Sequence, residues 1–298
     1  MLNRSPSRFT QSINLTPSMT PTSWRLLRKS MQKEILTHLK TWFSQYVATF
    51  YSSSVEQQRN ISLKEQHTQR VCQEIVGLGQ DLSLSDSDLL LAHTAALFHD
   101  LGRFEQWRQY GTFRDAQSEN HALIALRLLD EQKILAELLP EEQKLIQQAI
   151  RYHNVLHVPE MDDPKAVQIT RLLRDADKLD IWRVFLDHFY SPVDQQNSSV
   201  EWNLPETPGC SSAILSDLCK NQISSLSFVQ NRNDFKLLLL GWVFDINFPS
   251  TRRKILQRKY IEQICRFLEQ VPETQNIETE LLAYLCTQGN LKGVGEQD

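Results

Sequence analysis

His99 and Asp100 stand side by side at the end of an apolar stretch, Ala-Ala-Leu-Phe-His-Asp-Leu-Gly. A carboxylate buried there without a partner would be costly, and a divalent cation is the partner that also suits the neighbouring imidazole. Successive helical residues diverge by about 100°, so both side chains reach one ion only near a helix end or across its face. Gly102 is expected to supply that end. Further donors lie elsewhere in the chain: His67 on the apolar stripe of an earlier helix, His121 and His153 near helix boundaries, and Asp177 in Leu-Arg-Asp-Ala-Asp-Lys-Leu-Asp. Within that last segment Asp175 lies about 200° around the helix from Asp177, so the two cannot face one ion. Asp180 falls near the face of Asp177 and is expected behind it as a supporting group. Mixed imidazole and carboxylate ligation suits Mn, Fe, Ni, Co or Zn better than Ca.

Cations near such a cluster could bind phosphoryl oxygens. The candidates are Arg103, Arg114 and Lys178, although a salt bridge explains Lys178 equally well. The segment from Arg103 to Asp115 is aromatic and is expected as an irregular loop walling a pocket. His38, His93, His157 and His188 are expected to be structural. No Gly-x-Ser-x-Gly elbow occurs, which argues against serine chemistry, and no Walker loop occurs, which argues against an NTP-driven motor.

The ordered set His67, His99-Asp100 and Asp177 resembles the H…HD…D signature of the HD superfamily of metal-dependent phosphohydrolases. His67-Thr-Gln-Arg-Val, Leu97-Phe-His-Asp-Leu-Gly-Arg and Ala176-Asp-Lys-Leu-Asp resemble its successive motifs, over roughly residues 60–190. The resemblance implies an all-α, HD-like helical bundle. It implies a metal site of His67, His99, Asp100 and Asp177, and by analogy with two-metal members a second ion on His121 and His153 with Asp100 bridging. It further implies a nucleotide or a phosphorylated small molecule as substrate, attacked by hydroxide generated at the metal. Asp100, Arg103 and Lys178 are expected as the catalytic residues. The alternative is a nucleotide-sensing HD module without turnover. The Gly-Tyr-Pro word of the cyclic-dinucleotide phosphodiesterases is missing, and Ala125 stands where related two-metal members often have Gly, which argues against that subclass. The superfamily's alarmone hydrolases carry added synthetase or regulatory segments not seen here, and its di-iron oxygenases leave the metal's identity open.

The positioning elements follow from composition and periodicity. The 298 residues are 41% apolar and include 9 glycines, a balance that favours a helical core. The formal charge of −4 implies no extended nucleic-acid groove. Five cysteines without a CxxC pair read as reduced thiols of a cytoplasmic protein. No apolar run approaches the roughly 20 residues of a membrane span. Residues 1–23 read as a disordered tail, with a transit peptide as the less favoured alternative. The apolar stripe from Trp24 to Phe50 predicts one long helix. Further helices are expected at 62–79, ending near Gly77 or Gly79, at 89–101 with Asp86 or Ser87 as cap, at 119–130 behind Ser118, at 140–152 and at 166–190. The metal-binding domain is thus placed at 24–190 and a linker at 191–211. A C-terminal helical region, 212–298, follows with helices at 212–230, 234–246, 252–270 and 277–287 and a frayed end. It shows no chemistry of its own, Asp245 in its apolar run being expected as a satisfied core acid. An oligomer is compatible with all of this.

Overall fold

A computed structural model describes residues 31–269 and 271–290. The expectations for residues 1–23, for the start of the first helix and for the chain end beyond 290 lie outside them. The described residues are helical, with no strand among them. Two 27-residue helices, α2 (Val55–Asp81) and α7 (Pro164–Tyr190), form the central pair, each roughly 40 Å long at 1.5 Å per residue. α2 starts where Ser54 accepts a hydrogen bond from the Gln57 amide, and α7 starts at a proline that Asp163 caps. Around the pair pack α1 (Lys33–Ala48), α3 (Asp86–Phe98), α4 (Leu101–Tyr110), α5 (His121–Glu131) and α6 (Pro140–Tyr152). α3 is capped by Ser85 and α5 by Asn120, not by the residues expected. α2 runs through both Gly77 and Gly79 without ending.

One correction concerns the site directly. The chain does not leave helix at Gly102. The break falls at His99 and Asp100, where Asp100 takes φ −101°, ψ 14°, and α4 begins at once. Most of the segment expected as a loop, to Tyr110, is therefore helix. Gly102 serves a close approach: a Cβ there would lie 2.1 Å from the His121 carbonyl oxygen. The left-handed residue that ends α4 is Gly111, at φ 62°.

Four C-terminal helices are α8 (Ser212–Cys219), α9 (Arg232–Gly241), α10 (Pro249–Gln257) and α11 (Tyr260–Cys265), all shorter than the runs expected; α12 (Ile277–Asn290) starts where expected and runs three residues further. Left-handed residues interrupt two of the expected runs, Asn221 (φ 56°) after α8 and Lys259 (φ 52°) before α11. After α9 the chain tightens into a 3-10 turn, Trp242–Asp245. These helices share one continuous apolar core with the central pair. Trp182 of α7 is fully buried, donates its indole N–H to the Leu239 carbonyl at 2.9 Å, and packs against Trp242 and Tyr260. Between α7 and α8, Glu201 is buried against His188 at 3.2 Å. The five cysteines are free. No helix of the described residues is long and apolar enough to cross a membrane.

Candidate metal centre

The six sequence-predicted donors come together in the interior. Their elements explain how. His67 projects from mid-α2 and Asp177 from mid-α7, the two faces that pack against each other. His99 and His153 each occupy the residue that closes a helix, α3 and α6 respectively. In both, ring Nδ1 sits 2.7 Å from the carbonyl three residues back, Ala96 for His99 and Ile150 for His153. A terminal helical carbonyl lacks its usual partner and can only accept, so this contact fixes the proton on Nδ1 and leaves Nε2 facing inward. His121 is the first residue of α5, and its Nδ1 lies 2.8 Å from Asp115. His67 directs Nδ1 to Asp180 at 2.7 Å, and Arg70 braces Asp180 from behind at 2.6 Å.

All four Nε2 atoms therefore converge. That of His67 is 3.3 Å from that of His99, and that of His121 is 3.0 Å from that of His153. Asp100 stands between the two pairs. Its Oδ2 faces His67 at 3.5 Å and His99 at 3.8 Å, while Oδ1 faces His121 at 3.3 Å. Asp177 Oδ1 lies 3.1 Å from His67 and 3.6 Å from His99. Three overlapping sets of donors, each within 4.8 Å, could hold an ion: His67, His99 and Asp100; His99, His153 and Asp177; Asp100, His121 and His153.

The electrostatics suit cations. Burial opposes charge on Asp100, yet Lys64, His99, Arg103 and His121 hold its carboxyl well below the usual carboxylate range. Asp177 is likewise held well down against burial by His67 and His99. Burial and the neighbouring His121 and His99 rings push His153 down to about 3. Burial and Arg103 also lower His121. Both shifts favour the neutral ring, and the contacts of Nδ1 to Asp115 in His121 and to the Ile150 carbonyl in His153 draw that ring's proton to Nδ1. The two Nε2 atoms meet at 3.0 Å, an arrangement a cation would relieve. At His67 burial works against protonation, but the contacts to Asp177 and Asp180 outweigh it and raise the ring to about 9. That position between two carboxylates favours positive charge of either kind, proton or metal.

The expected phosphate binders separate. Arg103 lines the cavity, its Nε 3.5 Å from Asp100. Its Nη1 donates to Phe113 O, Gln106 Oε1 and Asp115 Oδ1, so it also steadies the carboxylate that orients His121. Lys178 lines the same cavity with its ammonium on Asp245 at 2.7 Å. Arg114 does not line it. Asp175 points away from the donors and accepts from the Asn247 and Phe248 amides at 3.1 Å, joining α7 to the start of α10.

Several residues that face the site were not singled out in the sequence. Lys64 lies one turn before His67 on α2 and reaches Asp100 at 2.9 Å; the three-residue spacing was the available signal. Arg174 donates to the carbonyls of Tyr152, His153 and Val155 and to Asp245, tying the end of α6, and with it His153, to α7. The cavity itself measures about 290 Å³. One wall consists of the donors and these cations. The other is supplied by the C-terminal half: Trp202, Ile223, Ser224, Leu226, Leu238 and Trp242. Ser224 is buried and its hydroxyl has no hydrogen-bond partner.

Residues 65–182 match the family model of the HD domain. Comparisons with curated proteins and with solved structures give no match. The matched span contains all six donors, the helix break that presents His99 and Asp100, and the α2–α7 pair that carries His67 and Asp177. Residues 65–182 of the chain thus form an HD domain.

Proposed function

We propose that the protein is a metal-dependent phosphohydrolase that holds two divalent transition ions and hydrolyses a phosphoester. His67, His99 and Asp177 would hold one ion and His121 and His153 the other, with Asp100 shared. The observation that carries this reading is the convergence of four imidazole Nε2 atoms on a carboxylate whose two oxygens face different histidine pairs. Bound ions of this kind lower the pKa of water and polarise phosphoryl oxygens.

The chain's own residues have separate tasks. Asp180 and Asp115 orient His67 and His121 from behind, and the carbonyls of Ala96 and Ile150 do the same for His99 and His153. Lys64 and Arg103 flank Asp100 and are placed to take negative charge from a phosphoryl group. The Lys178–Asp245–Arg174 group holds Lys178 at the cavity wall, where burial lowers its ammonium and Asp245 opposes that, and it fixes His153 through Arg174. The apolar C-terminal wall excludes bulk water, which strengthens each of these interactions.

The test is elemental analysis of the purified protein, followed by assay of the Mn-loaded protein against phosphomonoesters, phosphodiesters and nucleotides. About two ions per chain and phosphate release that disappears in His99→Ala and Asp100→Ala are expected. Metal-independent release, or none from any ester, would overturn the reading; tight nucleotide binding without turnover would point to a sensing module instead.

A further inference from the structure

The metal cluster has an apolar annex. A hollow of about 120 Å³ opens beside it, sharing Lys64, His67, Arg103, Ile181, Trp202 and Trp242 with the main cavity. Beyond those shared residues the hollow is walled almost wholly by hydrocarbon, from Leu63 and Phe113 to Val184, Phe185, Val200 and Phe235, with Ser199 the one added polar residue. A cavity of roughly 150 Å³ lined by aliphatic and aromatic side chains stays dry and admits benzene. The annex is therefore of the size of one ring or a short branched alkyl group, and away from Lys64, His67 and Arg103 at its junction with the main cavity its walls offer only Ser199 to offset the desolvation of a charged or hydroxyl-rich one.

Two features make this a built recess. Trp202 is left-handed, at φ 53°, a conformation that a bulky side chain adopts only when its surroundings hold it there. Here that backbone brings the Trp202 ring against Phe235, 4.8 Å between centroids, where it lines both the annex and the main cavity. Lys64 stands at the junction, with Asp100 on one side at 2.9 Å and the Phe113 ring on the other at 5.2 Å. Charge handling and apolar contact thus meet at a single side chain.

Resting on the phosphohydrolase reading above, we infer that the substrate is a phosphomonoester of a small apolar alcohol. Its phosphoryl group lies at the metal cluster and its organic group, about one ring in size, fills the annex between Trp202, Trp242, Ile181 and Val184. In the reaction a water oxygen forms the new P–O bond, the ester P–O bond breaks, and the alcohol leaves with the second proton of that water. Inorganic phosphate and an uncharged, apolar alcohol are released. Trp202, Trp242 and Val184 are specificity residues that contact the organic group.

The experiment is calorimetric titration of the metal-loaded protein with phenylphosphonate and with methylphosphonate, which cannot be hydrolysed. Phenylphosphonate is expected to bind about 10- to 100-fold more tightly, from burial of one ring. Val184→Phe fills the annex from a residue that is not itself a metal donor, and should remove that advantage while leaving methylphosphonate binding and metal content unchanged. Trp242→Ala should shrink the advantage in the same direction. Equal affinity of the two phosphonates for the wild type, with both dependent on metal, would overturn the annex assignment and leave the phosphohydrolase reading standing. Failure of either phosphonate to bind a fully metal-loaded protein would overturn both.

Discussion

The two halves of the molecule contribute to one cavity by opposite means. The half from α1 to α7 places a few chemically committed side chains, four histidines and two aspartates, each with an identifiable reason for its orientation. The half from α8 to α12, with the connection before it, places mainly common apolar side chains whose role depends on where the backbone puts them, with Asp245, paired to Arg174 and Lys178, its charged exception. One half supplies charge and lone pairs; the other supplies shape and a dry surface. Loss of a single donor removes chemistry, whereas loss of a wall residue changes what fits.

The largest expected effect tests this division. Asp100→Ala removes the carboxylate that faces both histidine pairs and should lower turnover by at least ~10³-fold, the equivalent of several kcal/mol of transition-state stabilisation. Metal content measured alongside should fall. A wall substitution such as Leu226→Ala, on a half-exposed residue, should leave metal content unchanged. If Leu226→Ala lost its metal, the two halves would not differ in the way described.

Next in size is the join between the halves. Trp182→Ala deletes the fully buried indole that bonds Leu239 and packs on Trp242 and Tyr260. A loss of about 3–5 kcal/mol is expected, as for other large-to-small aromatic changes in cores, measured by urea unfolding. The continuous core also predicts a single unfolding transition for the wild type. Two separated transitions would make the C-terminal half an independent unit.

What the sequence revealed follows the same division. Metal ligation needs rare residue types, so His67, His99, Asp100, His121, His153 and Asp177 were conspicuous even before their order was considered. Helix lengths were legible where a proline marks the start, as Pro140 does for α6 and Pro164 for α7. The wall was not legible. Trp202 lies in a stretch rich in Pro, Ser and Asn, where composition signals a linker, and its left-handed backbone is set by the packing around it. Trp242 and Asp245 were read as helical because their apolar run continues, yet the run ends in a 3-10 turn that directs both toward the cavity. Gly102 was misread for a related reason. A glycine after an apolar helix has two uses, ending the helix or admitting a neighbour, and only the packing of α5 against α4 decides between them.

A smaller effect separates orientation from ligation. Asp180→Asn should weaken metal binding by about 10- to 100-fold, the usual consequence of losing a carboxylate behind a ligating histidine, read by competition with a chromogenic chelator. Asp115→Asn should do the same through His121. If the two ions are held as proposed, each variant should weaken one binding step and spare the other. Equal weakening of both steps would mean that Asp100 couples the two pairs too tightly for them to be separated.

The smallest expected effect lies outside the cavity, two turns along α2 from His67, where the halves meet at an ion-pair group. Glu74 of α2 accepts from Lys254 at 2.9 Å and lies 2.7 Å from Arg258, both in the C-terminal half. Burial tends to raise its carboxyl, but these two cations outweigh it and lower it from the ordinary 4.5. A carboxylate depressed in the folded state contributes stability above its unfolded pKa and loses it as pH falls through the folded value. Glu74→Gln should therefore cost about 1 kcal/mol near neutral pH, the upper range for a partly exposed pair, and the gap to wild type should close as pH falls below 4.5. Added salt should narrow the gap at neutral pH, because a partly exposed pair is screened. Metal content and turnover should not change, since Glu74 touches neither the donors nor the cavity wall. A Glu74→Gln protein with normal stability but altered turnover would show that the C-terminal half controls the site through the angle at which α10 meets α2, and would break the distinction between a half that reacts and a half that only shapes.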